Sequence, residues 1–299
     1  MPNDPEFAAK MTNIQFCAMA QHLNEAAIVS MTAPLACAKS QICDLATVTR
    51  WVRNAWNTER VLRLNLDNFA PSDLNACVHW ALPQAYYSVF STTLALFNVI
   101  GRNETSHSAV IKQFGLSVVA ANRYPQKLNF YATGTIQNEI LSGVRRVVGG
   151  QTINYDKADA SSVENQIAQF LSATRKERLR YVKDRNFCNT FKNKRGKKLK
   201  NFKEPQWEKV AESAGPTSLL SLLYRKRITA NYDDIGTITS ELLDGKKLIS
   251  DLLTVVRSCN LVHEHLIYCA LGKTDFETLH DNKQKFEFVL DSRQKLDAG

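Results

Sequence analysis

The 28 residues from Leu74 to Gly101 contain no Asp, Glu, Lys or Arg, and this run constrains the fold more than any other feature of the 299-residue chain. A charge-free segment of that length must either cross a membrane or be covered by protein on most sides. Asn75, His79, Pro83, Gln84, two tyrosines and several hydroxyl residues lie within it. On an insertion scale these polar groups offset most of the gain from the apolar ones, so the run predicts a buried helix and no transmembrane span. From Gln84 to Val99 the large side chains Tyr86, Phe90, Leu94 and Phe97 recur at steps of three and four, one face of a helix. Pro83 suits the first turn of that helix and Gly101 its end. Thr105 or Ser106 then caps a second helix from Ser108 to Val119.

Helical spacing dominates the rest of the chain as well. A capping-box pattern, Ser161-x-x-Glu164, opens a helix that runs to about Tyr181. Two more are expected over Ser218–Asp234 and Ile238–Leu271. The second carries Ile249, Leu252, Leu253, Val256, Asn260, His263 and Ile267 on one seam. Val147-Val148 and Thr152-Ile153 flank Gly149-Gly150 and suggest one small β-hairpin. With 44% hydrophobic and 22% charged residues the chain can bury a large core, which excludes a disordered or fibrous protein. Only 12 glycines and 8 prolines argue against a turn-dense sandwich or barrel. The fold class is therefore all-α, an antiparallel helical bundle with an insertion. Residues 1–10 read as a vector-derived remnant or disordered N-terminus, 11–144 as the first part of the helical domain, 145–215 as the insertion and 216–299 as the helices that complete the domain. Residues 11–70, with the apolar stretch Ala26–Ala38 and the tryptophans Trp51 and Trp56, are assigned to the same core.

Charge is concentrated in the insertion. The chain has 38 Lys+Arg against 29 Asp+Glu, a net +9, but Arg175–Lys203 alone holds 13 basic and 2 acidic residues, a local +11. The remainder is 25 basic and 27 acidic, close to neutral. Such a stretch suits a polyanion. Phe187, Phe191, Phe202 and Trp207 alternate with lysines, so the stretch reads as an extended or loosely helical arm. Its candidate nucleic-acid contacts are Lys192, Lys194, Arg195, Lys197, Lys198, Lys200 and Lys203. A solvated charge run is the alternative. Few apolar residues in the arm look necessary for packing, so its removal is expected to leave the helical core folded.

Seven cysteines without a CxxC pair indicate neither a disulfide framework nor a structural zinc site, and they fit a reducing cytoplasm. No Walker loop, Rossmann glycine pattern, GxSxG elbow or HExxH occurs. Two arginine–histidine pairs remain, Arg102/His107 and Arg257/His263. Random sequence of this composition yields about one such pair, so context has to separate them. His263 lies on the apolar seam and reads as a core histidine. Cys259, four residues earlier, lacks further metal ligands around it. Asn103 and His107, also four apart, are expected to share a helix face near a capped N-terminus, with Arg102 on the adjoining turn.

The run Ala85-Tyr-Tyr-Ser-Val-Phe-Ser-Thr-Thr-Leu-Ala-Leu-Phe97, the following His107-Ser-Ala-Val-Ile-Lys-Gln-Phe-Gly115 and the later Arg225-Lys-Arg-Ile-Thr-Ala-Asn-Tyr-Asp-Asp234 together resemble HEPN domains. The resemblance implies a compact helical domain, usually a homodimer. In active members it implies a metal-independent endoribonuclease with an R-x4-6-H motif, to which Arg102, Asn103 and His107 correspond as the catalytic set. Ala109 stands where a glycine is common and Asn231 where an aspartate is. The expected function is RNA cleavage by histidine acid/base chemistry without metal or cofactor, in a toxin or defence effector with RNA and an antitoxin or other protein as partners. A non-catalytic HEPN-like binding module is the rival reading. A helical assembly protein is a third.

Overall fold

The computed structural model describes residues 5–23, 38–146, 160–192, 196–199, 201–233 and 244–279. Its helices are α1 (Pro5–His22), α2 (Leu45–Asn68), α3 (Pro71–Val99), α4 (His107–Phe114), α5 (Ala160–Val182), α6 (Glu204–Ala214), α7 (Leu219–Ile228), α8 (Gly245–Leu271) and α9 (Lys273–Glu277). Single wide π-turns, Gly115–Val119, Lys183–Phe187 and Thr229–Asp233, extend α4, α5 and α7. Three short strands complete the described structure: β1 (Tyr131–Gly134), β2 (Glu139–Ser142) and β3 (Thr217–Ser218). The all-α expectation holds in its coarse form. The chain divides into two units, residues 1–110 with 223–299, and residues 111–222.

In the first unit the uncharged run forms most of α3, which starts earlier than its spacing suggested. Pro71, not Pro83, occupies the first turn, and Pro83 lies inside the helix. An internal proline removes one hydrogen bond, and packing on both sides carries the helix through it. From Ala81 to Phe97 every residue except Gln84 and Tyr87 is buried, and α2 and α8 both pack on α3. Among the described residues no helix is long and apolar enough to cross a membrane. α3 ends in a Schellman motif. Arg102 N–H donates to Phe97 O at 2.7 Å and Gly101 N–H to Asn98 O at 3.2 Å, with Gly101 at φ 78°.

The neighbouring helix starts are tied to α3 by side chains. Asp44 caps α2 by accepting from Ala46 N and Thr47 N at 3.1 and 3.3 Å, and its own N–H donates to Asn98 Oδ1 at 2.9 Å. Asp244 caps α8 by accepting from Lys247 N at 2.9 Å, while Gly245 N–H donates to Asn75 Oδ1 at 2.8 Å. A Cβ at Gly245 would come within 2.4 Å of that oxygen and 2.7 Å of Asn75 N, so only glycine fits. α1 packs on α8, with Ala9 fully buried. Residues 5–10 therefore belong to a helix.

A buried polar chain joins α2, α3 and α8. Asn260 donates to Glu59 Oε2 at 2.7 Å and to Ser88 Oγ at 2.9 Å, and Ser88 donates to Ala55 O at 3.0 Å. Thr92 Oγ1 donates to Asn260 Oδ1 at 2.9 Å and lies 2.7 Å from His263 Nδ1. Thr92 Oγ1 also donates to Val89 O at 3.0 Å, and His263 Nδ1 meets the same hydroxyl as donor or acceptor according to its tautomer. Trp56 Nε1 donates to Glu264 Oε1 at 2.7 Å beside this chain. His263 is the core histidine that the seam implied; it is 0% exposed, and burial lowers its pKa to about 3.

The second unit contains a three-stranded sheet. The strands are ordered β2-β1-β3, with Tyr131 opposite Ser142 and Ser218. The hairpin expected around Gly149-Gly150 lies outside the described residues, as does most of Ala26–Ala38. Because β1 pairs with β3 and α5 packs on both, residues 111–144 group with the insertion. Arg175, 1% exposed, donates to Gly134 O at 2.7 Å, to Gly215 O and to Thr217 Oγ1 at 3.4 Å. Arg178 donates to Ala214 O at 2.6 Å. Both arginines therefore cap the C-terminal carbonyls of α6.

Burial, partly offset by the Asn260 hydrogen bond, pushes the Glu59 carboxyl up from 4.5 to about 7. The folded chain thus holds this proton more tightly than the unfolded one, so the contribution is complete below pH 4.5 and is lost as pH rises through about 7. Melting followed from pH 4.5 to 8 should show Glu59→Gln losing this dependence and gaining about 2–3 kcal/mol over the parent at pH 8. Parallel curves for the two proteins would contradict the assignment.

Candidate functional site

His107 is the first residue of α4, and Ser106 caps that helix. Ser106 Oγ accepts from Ala109 N at 3.4 Å and Ser106 O from Val110 N at 2.9 Å. The imidazole is half-buried in an aromatic notch. Its Nδ1 lies 2.7 Å from the Tyr86 hydroxyl, and its centroid lies 4.7 Å from Phe90, 5.6 Å from Tyr86, 5.8 Å from Tyr224 and 6.1 Å from Tyr87. Tyr86 and Phe90 are four apart on α3 and face the ring together. Tyr224 comes from α7, which also supplies Arg227. Arg227 Nη2 donates to Tyr87 OH at 2.7 Å, and the guanidinium lies 5.3 Å from the Tyr87 centroid and 5.9 Å from that of Tyr224.

These surroundings define what the ring can do. Burial, and then the positive charge of Arg227, hold His107 below the usual histidine range, so it is neutral at pH 7. Burial drives the Tyr86 hydroxyl well above the ordinary tyrosine range, so it stays protonated. A neutral hydroxyl can either donate to Nδ1 or accept from Nδ1–H. When it accepts, Nε2 is left as a base; when the ring is doubly protonated, Nε2–H is an acid.

The other expected catalytic residues, Arg102 and Asn103, lie in the segment between α3 and α4. Asn103 is exposed in the segment between α3 and α4, so it does not share a helix face with His107. The cause is the Schellman turn, which uses Gly101 and Arg102 and delays the next helix until His107. Arg102 lies 3.7 Å from Glu104. The cation acting on His107 is Arg227 instead, 120 residues further along the chain. Spacing around His107 carries no trace of it, but Arg227 lies in Arg225–Asp234, one of the three segments that carry the resemblance.

In the second unit the described residues of the basic stretch are folded. Phe202 packs with Leu179, Val182, Val210 and Ala214, and Phe187, Phe191, Leu199 and Trp207 pack against that cluster. The expectation that the arm needs few apolar residues is therefore corrected: its aromatic residues build a small core of their own. Lys192, Lys197, Lys198 and Lys203 are exposed, whereas Lys194, Arg195 and Lys200 lie outside the described residues. Among the described residues no group of three or more His, Cys, Asp or Glu side chains is placed to hold a metal ion. Compared with family models, curated proteins and solved structures, the chain has no match.

An NMR titration of the His107 ring should give a midpoint below 6.5, and Arg227→Gln should move it part of the way back. A midpoint at or above 6.5 in the parent protein would contradict the burial and charge described for the notch.

Proposed function

We propose that this chain is a HEPN-like protein that cleaves RNA without a metal, with His107 as its acid/base group. The observation that carries this reading is a convergence. Of the three segments that together resemble HEPN domains, Ala85–Phe97 and His107–Gly115 are close in sequence and Arg225–Asp234 is far from both; they contribute Tyr86, Tyr87, Phe90, His107 and Arg227 to one notch or its border, and Tyr224, next to the third segment, joins them there. In the proposed reaction a neutral His107 takes the 2′-hydroxyl proton of the RNA through Nε2, and the oxygen attacks the adjacent phosphorus. The leaving 5′-oxygen then receives a proton, and a 2′,3′-cyclic phosphate remains. Arg227 stabilises the charge that builds on the phosphoryl oxygens, the part that the R-x4-H pattern gives to Arg102. Tyr86 fixes the ring's orientation. A second copy of the chain would bring a second His107, whose doubly protonated form would serve as the acid, in keeping with the dimer that the resemblance implies.

The ion pair of Arg102 with Glu104 favours the second reading, a binding module of the same type without catalysis, because it engages the arginine of the R-x4-H motif elsewhere. One experiment separates the two. Purified protein incubated with end-labelled RNA in EDTA should produce cyclic-phosphate ends, and His107→Ala should slow this by a factor of about 100 or more. Arg227→Ala should slow it more than Arg102→Ala. Equal cleavage by the parent and His107→Ala would sink the proposal, and binding without cleavage by either would select the module.

A further inference from the structure

The basic stretch keeps its aromatic rings and its lysines for different purposes. Phe187, Phe191, Phe202 and Trp207 contact one another in series, with centroids 5.6, 5.2 and 5.7 Å apart. Lysine ammonium groups cover further ring surface: Lys183 Nζ lies 4.9 Å from the Phe202 centroid and 5.6 Å from Trp207, and Lys209 Nζ lies 5.8 Å from Phe191. Tyr181, exposed on α5, carries Arg185 at 5.8 Å from its ring. Proteins that hold single strands stack bases on open aromatic faces. Here each ring already has a ring or a cation beside it.

The lysines show the opposite arrangement. Lys192 pairs with Lys198 in an antiparallel bridge, and Leu199 N–H donates to Phe191 O at 2.9 Å. The alternation of a strand then puts Phe191 and Leu199 against the small core, while Lys192 and Lys198 leave from the outer face side by side. Like charges directly opposite each other weaken such a pair. Lys203 sits at the N-cap of α6, where the helix dipole also disfavours a cation. The adjacent Glu204 carboxylate is engaged by Thr135 and Asn138 at 2.5 and 2.7 Å. The apolar packing thus holds a face of positive potential in place against its own repulsion, which an anion with closely spaced charges relieves.

We propose that this face grips the phosphate backbone of a nucleic-acid duplex and reads neither base nor sequence. The inference takes from the reading above only that the partner is a nucleic acid; it does not depend on cleavage at His107. A grip made of charge alone favours the polyanion with the higher charge density. Each phosphate contact contributes a log–log salt slope of about −0.9 on a duplex and about −0.7 on a single strand.

The test is binding of the full-length protein to a duplex RNA and to a single-stranded oligouridine of equal length, each over a salt series, with polyglutamate as a third ligand. The duplex should bind more tightly and with the steeper slope. Lys192→Gln with Lys198→Gln should weaken duplex binding roughly tenfold and flatten its slope by about 1.8, two contacts at 0.9 each. Phe191→Leu, which keeps an apolar side chain in the small core but removes the ring, should leave oligouridine binding unchanged. Tighter binding of oligouridine, or its loss in Phe191→Leu, would show a stacking site and overturn the proposal. Polyglutamate bound as tightly as the duplex through the same lysines would identify an acidic protein surface as the partner, and would overturn it too. So would an absence of salt-dependent binding. Binding through the lysines and cleavage at His107 are read in separate assays, so this result and the cleavage result fail separately.

Discussion

The hydrogen bonds that pass from His263 through Thr92 to Asn260, and from Asn260 to Glu59 and Ser88, set the arrangement of the first unit. Apolar contacts among α2, α3 and α8 constrain register less, because the hydrophobic effect is non-directional. The polar chain tolerates one. Sliding any of the three helices by a turn would strand a buried amide or carboxyl without a partner, at a cost of about 1–3 kcal/mol for each group. The caps reinforce the same choice, since Asn75 and Asn98 of α3 accept from the backbone at the starts of α8 and α2.

α3 works on two sides at once. Ser88 and Thr92, four residues apart, meet the polar chain; Tyr86 and Phe90, also four apart, meet His107. An offset of two residues turns a helix by about 200°, so the pairs point in nearly opposite directions. The same helix therefore positions the aromatic notch and anchors the core, and a charge on either face would disturb one of them. This accounts for the uncharged run as a requirement of the fold and not of a membrane.

Elements whose determinants are local were legible in the sequence. The seam of α8, the burial of His263, the α5 span and the end of α3 at Gly101 all follow from spacing and caps within one or two turns. What escaped depends on distant neighbours. Pro83 read as a helix start because nothing near it reveals that α2 and α8 support the helix on both sides. The role of Arg227 escaped because it belongs to a segment that meets α3 only in the folded chain. In the basic stretch, alternating rings and lysines gave the same pattern for a stacking platform and for a small core faced with charge. Only the mutual contacts of Phe187, Phe191, Phe202 and Trp207 separate the two.

The covering of α3 also has a consequence for synthesis. α2 precedes α3 and can pack on it at once, but α8 begins at Gly245, after residues 100–244 have been made. At about 5–20 residues per second, that interval lasts roughly 7 to 30 s. During it one apolar side of α3 has left the ribosome without its eventual cover. A nascent chain in that condition is a substrate for chaperones and prone to premature association with other chains, so the order of the helices along the sequence makes this protein's yield depend on who else is present while it is being translated.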